Sequence, residues 1–136
     1  MLVTILLIDD DFTTNYLHKK IITKAEFDSP IEVANNGKEG IDKLLAYNDS
    51  ITDEDATVLI FLDLNMPIVD GWQFLDIYEE IKPKLHYKTN LFIISSSINQ
   101  DDYDRAKSNN LVDDYIPKLL TVDRLKSLKE NFIKIE

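Results

Sequence analysis

Short apolar runs alternate with longer amphipathic stretches along this chain, and the two periods predict two kinds of element. Leu2–Ile8, Ile31–Ala34, Val58–Leu62, Leu91–Ile94 and Tyr115–Ile116 are brief and rich in aliphatic side chains. Runs of that kind fit strands buried on both faces, as in a parallel sheet covered by helices. Between them Leu17, Ile21 and Ala25 recur at helical spacing, as do Ile41, Leu44 and Leu45. Leu75, Tyr78 and Ile81 mark a further helix, and Val122, Leu125, Leu128 and Phe132 mark the last. Each set lines one face of a helix with a period of about 3.6 residues. Asn99–Asn110 is mostly polar and is read as the fourth helix. Asn36-Gly37 and Thr121 precede the second and last stripes. Their short oxygen-bearing side chains suit the free amides of a first helical turn.

Five strands alternating with five helices read as (βα)5, an α/β fold. It is a doubly wound parallel sheet with helices on both faces. No internal repeat or low-complexity linker interrupts the pattern, so residues 1–136 are expected to form a single domain with no output domain. The longest irregular stretch, Asn48–Ala56 ("NDSITDEDA"), reads as a surface insertion.

Composition narrows the function classes. At 136 residues, with 44% apolar and 29% charged residues, the chain suits one globular domain with a real core. No apolar run approaches the roughly 20 residues that cross a bilayer. The opening "MLVTILLIDDD" is too short for a leader and lacks a basic start. It reads as a first buried strand, with a cytoplasmic location expected. There is no cysteine, which excludes disulfides, thiolate metal sites and cysteine nucleophiles. The net charge of -10 argues against a nucleic-acid surface, which needs a basic patch. Lys19, Lys20 and Lys24 read as a solvated helix face.

The remaining chemistry sits at strand ends, where open α/β sheets place their sites. The first strand ends in Asp9, Asp10 and Asp11, the third in Asp63 and Asn65, the fourth in Ser95–Ser97, and the fifth in Lys118. Gathered carboxylates raise one another's pKa unless a cation relieves them. Carboxylates plus waters suit Mg²⁺. Such a site can also clamp a phosphoryl group, whose transfer needs positioning and charge neutralisation. Lys118 then supplies a point charge, Ser95 a hydroxyl and Asp63 a nucleophilic oxygen. Each residue alone has an ordinary structural reading as a cap, a turn residue or a solvated charge. Their appearance at successive strand ends is the signal.

At these residues the chain resembles the receiver domain of two-component response regulators over nearly its whole length. "LLIDDD" resembles the family's acidic pair, "FLDLNMPIVDG" its phosphoacceptor block, "FIISSS" its hydroxyl position and "YIPKLL" its switch aromatic and lysine. The resemblance implies the flavodoxin-like strand order 2-1-3-4-5. It implies that Asp63 accepts a phosphoryl group from a sensor histidine kinase or a histidine phosphotransfer protein. Asp9, Asp10, Asp63 and the Asn65 backbone carbonyl would hold Mg²⁺. Ser95 would move toward the acyl phosphate and Tyr115 rotate inward behind it, shifting a pre-existing equilibrium. A downstream protein would read the face made by the fourth helix, fifth strand and fifth helix. No nucleic-acid contact and no membrane insertion are expected.

Leu119 stands where the family has proline, and Gly40 where it favours alanine. A cis bond before leucine costs about 2.5–4 kcal/mol, against about 0.5–1 before proline. The loop is therefore expected to lose the family's cis geometry while Lys118 still reaches the site. His18 and His86 are both expected at the surface. Two other readings stand beside this one. "IDDDFTT" fits the D-x-D-x-T signature of haloacid-dehalogenase-like phosphatases, with Asp9 as nucleophile, Asp11 as acid/base and Thr13 following. That reading leaves "LDLNMPIVDG" unexplained. The other is a receiver-like interaction module that takes no phosphate.

Overall fold

The computed structural model describes residues 1–66, 68–96 and 99–131. Strands β1 (Leu2–Ile8), β2 (Ile31–Ala34), β3 (Thr57–Asp63), β4 (Lys88–Ser95) and β5 (Asp114–Pro117) form one sheet of order β2-β1-β3-β4-β5. Every pairing is parallel. Helices α1 (Phe12–Lys24), α2 (Gly37–Ser50), α3 (Gly71–Ile81), α4 (Gln100–Lys107) and α5 (Val122–Asn131) connect the strands. This is the (βα)5 architecture and strand order expected from the sequence.

The two-residue strand period splits the core into two layers. Leu6, Ile8, Ile60 and Ile93 face one way, against α2, α3 and Ala106 of α4. Ile5, Leu7, Phe61 and Phe92 face the other way, against Ile22 of α1 and Leu125 and Leu128 of α5. Burial on both faces explains why the strands read as apolar runs rather than alternating ones.

Local signals placed the helix starts well. Asn36 Oδ1 accepts the Glu39 amide, Asn99 Oδ1 accepts the Asp101 amide, and Thr121 Oγ1 accepts the Arg124 amide. Helix α2 runs to Ser50, so the irregular stretch expected from Asn48 begins later, at Ile51. Asn48 is tied down as well: its amide donates to the Lys84 carbonyl and its oxygen accepts the His86 amide. Phe132 lies outside the described residues.

Helix α1 corrects the expected stripe. Its buried positions are Asn15, His18 and Ile22, followed by Ala25, whereas Leu17 is 38% exposed. The spacing i, i+3, i+7, i+10 is as helical as the one expected. Two polar side chains occupy the inner face because each has a backbone partner there, Asp9 O for Asn15 and Leu120 N–H for His18. His18 is thus buried, contrary to expectation, while His86 is exposed as expected. Lys19, Lys20 and Lys24 are solvated.

Candidate functional site

Strand order reverses between β1 and β3, since β2 lies on one side of β1 and the later strands on the other. That leaves a crevice beyond the carboxyl ends of β1 and β3. Asp9 follows β1 and Asp63 ends β3, and both are nearly fully buried, at 1% and 4% exposure. Asp10 is exposed, yet one carboxylate oxygen from each of Asp9, Asp10 and Asp63 lies within 4.8 Å of the others.

The loops hold these groups through their own amides. Asp9 Oδ1 accepts the Asp11 N–H at 2.9 Å, and Asn15 Nδ2 donates to the Asp9 carbonyl at 2.9 Å. Asp63 Oδ1 accepts the Asn65 N–H at 3.3 Å. Behind the β3 end, Asp70 caps α3 in a reciprocal box with Gln73. Gly71 N–H donates to the Leu64 carbonyl, and a Cβ on Gly71 would stand 2.7 Å from Leu64 Cα and 2.8 Å from Asp63 O. The glycine of the "VDG" segment is therefore needed for close backbone approach beneath Asp63.

Lys118, immediately after β5, reaches back across the sheet end. Its Nζ lies 2.9 Å from Asp9 Oδ2 and 3.5 Å from Asp63 Oδ1. Burial disfavours the ammonium, but the ion pair with Asp9 and the charge of Asp63 outweigh it and hold the Lys118 pKa above its ordinary value. The Asp63 pKa also lies above its ordinary value, which for a carboxylate means that its charged form is disfavoured. Burial first, then the Asp9 charge, raise it to about 6, while Lys118 and the Asn65 amide pull it back.

The donor set fits a hard divalent cation. All the clustered side-chain donors are carboxylate oxygens. Asp9 Oδ2 is buried and, among the described residues, accepts no aligned hydrogen bond, with the Lys118 ammonium nearby as its balancing charge. A buried, under-bonded carboxylate oxygen beside two others suits Mg²⁺, with the remaining positions taken by backbone carbonyl or water.

The remaining expected residues stand around this centre. Ser95 is buried at 1% exposure in register with Pro117, and its carbonyl accepts the Lys118 N–H. Tyr115 is 8% exposed, with its ring edge-on to Tyr103 at 5.6 Å. It already lies inward. The Asn65 side chain is exposed. The expected loss of cis geometry is corrected: the Lys118–Leu119 peptide is cis. The intrinsic preference of a leucyl bond is trans, but the amides flanking it are both tied, Lys118 N–H to Ser95 O and Leu120 N–H to His18 Nε2. Lys118 reaches the site as expected.

Sequence reasoning missed Asn15 and His18. The available signal was a second helical stripe, Asn15, His18, Ile22 and Ala25, competing with the more apolar one.

A doubly wound domain whose switch-point crevice holds paired carboxylates and a lysine from the last strand is the architecture of a phosphoacceptor receiver. The chain belongs to the response regulator receiver domain family, which it matches over residues 5–129. It is 28% identical over 134 residues to the hybrid signal transduction histidine kinase F of Dictyostelium discoideum, covering 97% of this chain and 11% of that protein. It is 26% identical over 129 residues to the probable C4-dicarboxylate response regulator DctR of Priestia megaterium, covering 95% and 51%. The chain thus spans about half of one of these relatives and about a tenth of the other. A two-component response regulator from Cytophaga hutchinsonii superposes with TM-score 0.81 at 30% identity over 93% of each chain. The family match includes "LDLNMPIVDG", the segment a phosphatase reading leaves without a role.

Proposed function

We propose that the chain accepts a phosphoryl group on Asp63, in an Mg²⁺-dependent reaction, from a sensor histidine kinase or a histidine phosphotransfer protein. The observation that carries the proposal is Lys118 Nζ standing between the Asp9 and Asp63 carboxylates. Asp9, Asp10, Asp63 and the Asn65 backbone carbonyl would hold the Mg²⁺, which when bound neutralises phosphoryl oxygens. An Asp63 carboxylate oxygen forms the new O–P bond as the donor's N–P bond breaks. With its pKa near 6, Asp63 is mostly ionised at neutral pH and can act as the nucleophile. Lys118 places its positive charge where the transferred oxygens arrive, and Ser95 offers them a hydroxyl.

Phosphorylation then changes which contacts the Lys118 and Ser95 side chains make, biasing one of two states. We assign the readout to α4, β5 and α5, where Tyr115 meets Tyr103 and Lys107 pairs with Asp114 at 3.0 Å. Signalling passes by protein contact or by phosphorelay, in the cytoplasm. Among the described residues no helix is long and apolar enough to cross a membrane.

The test is intact mass after incubation with Mg²⁺ and acetyl phosphate. Wild type gains one phosphoryl group and Asp63→Asn gains none. Labelling that survives Asp63→Asn and vanishes in Asp9→Asn overturns the assignment. The interaction-module reading rested on Leu119 in place of proline. A lysine that reaches both carboxylates supports phosphate chemistry instead.

A further inference from the structure

The inner face of α1 carries two polar side chains that the phosphoacceptor chemistry does not use. Asn15 and His18 are one helical turn apart, and both are buried, at 5% and 0% exposure. Burying polar groups costs free energy unless each gains a partner. Asn15 Nδ2 donates to the Asp9 carbonyl at 2.9 Å. His18 Nε2 accepts the Leu120 N–H at 3.2 Å, which puts the ring proton on Nδ1. These two partners are not scattered. One is the backbone of the carboxylate, and the other is the backbone two residues beyond the lysine, that form the 2.9 Å ion pair at the site centre.

We propose that His18 is a positioning residue for Lys118, and that α1, through Asn15 and His18, sets the spacing between Asp9 and the Lys118 ammonium. The segment 118–120 is held at both ends: Lys118 N–H by Ser95 O from β4, and Leu120 N–H by His18 Nε2 from α1. Without the second clip, the segment keeps its strand-side anchor and the buried Leu120 side chain but loses its main-chain tie to α1. The ammonium then loses the backbone placement that lets it address Asp9 and Asp63 together. An apolar residue at position 18 could fill the same core volume beside Ile22, so packing alone does not call for an imidazole. Nδ1, buried with no hydrogen-bond partner among the described residues, reinforces this: the ring carries a polar cost that its Nε2 contact must offset. Displacements of about 1 Å at a reacting group can cost roughly a hundredfold in rate, so a loosened clip has a kinetic signature.

This inference rests on the phosphoacceptor reading for its kinetic consequence but not for its structural one, and the experiment separates the two. His18→Leu removes the acceptor and keeps the volume. His18→Gln returns an acceptor near the Nε2 position. The Lys118 side-chain ammonium resonance, assigned by its loss in Lys118→Met, is recorded in metal-free protein. Phosphorylation by acetyl phosphate with Mg²⁺ is timed by intact mass. In folded His18→Leu the Lys118 resonance is expected to move toward that of a free lysine, and phosphorylation to slow by about tenfold or more. His18→Gln is expected to recover both. A folded His18→Leu with unchanged resonance and rate overturns the proposal, as does a folded His18→Gln that fails as His18→Leu does. If wild type takes no phosphoryl group, the phosphoacceptor reading falls while the Lys118 resonance still decides the positioning role. Should His18→Leu not fold, His18→Phe takes its place. Amide exchange at Leu120 in wild type adds a measurement that needs no variant, and fast exchange there overturns the proposal.

Discussion

Lys118 Nζ stands 2.9 Å from Asp9 Oδ2, although β3 and β4 separate their strands in the sheet. The ammonium thus takes part of the charge-balancing role that a divalent cation would take. Lysine and cation compete for the same carboxylates, and this fixes the sign of a substitution. Lys118→Met is expected to bind Mg²⁺ about tenfold more tightly at neutral pH, a change of ~1.4 kcal/mol. The same variant should phosphorylate more slowly, since the charge that meets the phosphoryl oxygens is gone. Calorimetric Mg²⁺ titration alongside timed phosphorylation checks both. Mg²⁺ affinity equal to or below wild type would show that the lysine does not compete.

The glycine beneath Asp63 makes a second prediction. Alanine in place of Gly71 gains helix propensity worth up to about 1 kcal/mol. Its Cβ, however, meets Leu64 Cα at 2.7 Å and Asp63 O at 2.8 Å, both main-chain atoms that cannot rotate away. Overpacking of this kind costs about 1–3 kcal/mol, so the net sign is destabilising. At Gly40 the nearest atom is Ile8 Cδ1 at 2.7 Å, a side-chain end that can turn. Urea unfolding should therefore rank Gly71→Ala below Gly40→Ala in stability, with phosphorylation slowed only in Gly71→Ala. The reverse ranking would mean that the β3 end yields more easily than the Ile8 side chain.

The α3 capping box is independent of both. Asp70 Oδ1 accepts the Gln73 amide at 2.9 Å, and Gln73 Oε1 accepts the Asp70 amide at 3.0 Å. Asp70→Ala is expected to cost about 1 kcal/mol in urea unfolding, without change in Mg²⁺ affinity. A loss of metal binding in this variant would show that the cap also shapes the acidic pocket.

Much of the fold was legible because the strands of a sheet covered on both faces must be apolar throughout. Leu2–Ile8 and Ile31–Ala34 could be bounded to the residue. Asp9, Asp10, Asp63 and Lys118 were legible because they sit one or two residues past the apolar runs of β1, β3 and β5, where topology gathers strand ends. Helix α1 was not, since two amphipathic stripes shared Ala25 and hydropathy favoured Leu17 and Ile21 over Asn15 and His18. The choice was made by hydrogen bonds to Asp9 O, across the β1–α1 turn, and to Leu120 N, which is reached only once the sheet has assembled. The cis Lys118–Leu119 peptide was illegible on the same ground, because local preference carries nothing of the two amide hydrogen bonds that long-range packing supplies.

The buried histidine also predicts how stability follows pH. Burial holds His18 at about 4, below its ordinary 6.5; the Asp9 charge draws it up and the Lys118 charge pushes it down. Between those values the unfolded chain binds a proton that the folded chain does not. Stability from this group is therefore complete above about 6.5 and is lost as pH falls toward 4, by up to about 3 kcal/mol. Asp63 works against it. Its pKa is raised from 3.8 to about 6, so the folded chain holds the extra proton and this contribution falls as pH rises through that window. A wild-type curve alone mixes the two. The difference between wild type and His18→Gln isolates the histidine, because Asp63 is common to both and the amide does not titrate. In metal-free urea unfolding from about pH 7 to about pH 5, the wild-type midpoint should fall relative to that of His18→Gln. Parallel curves would mean that His18 takes up a proton within the fold, which is incompatible with its Nε2 accepting the Leu120 N–H and would overturn that contact.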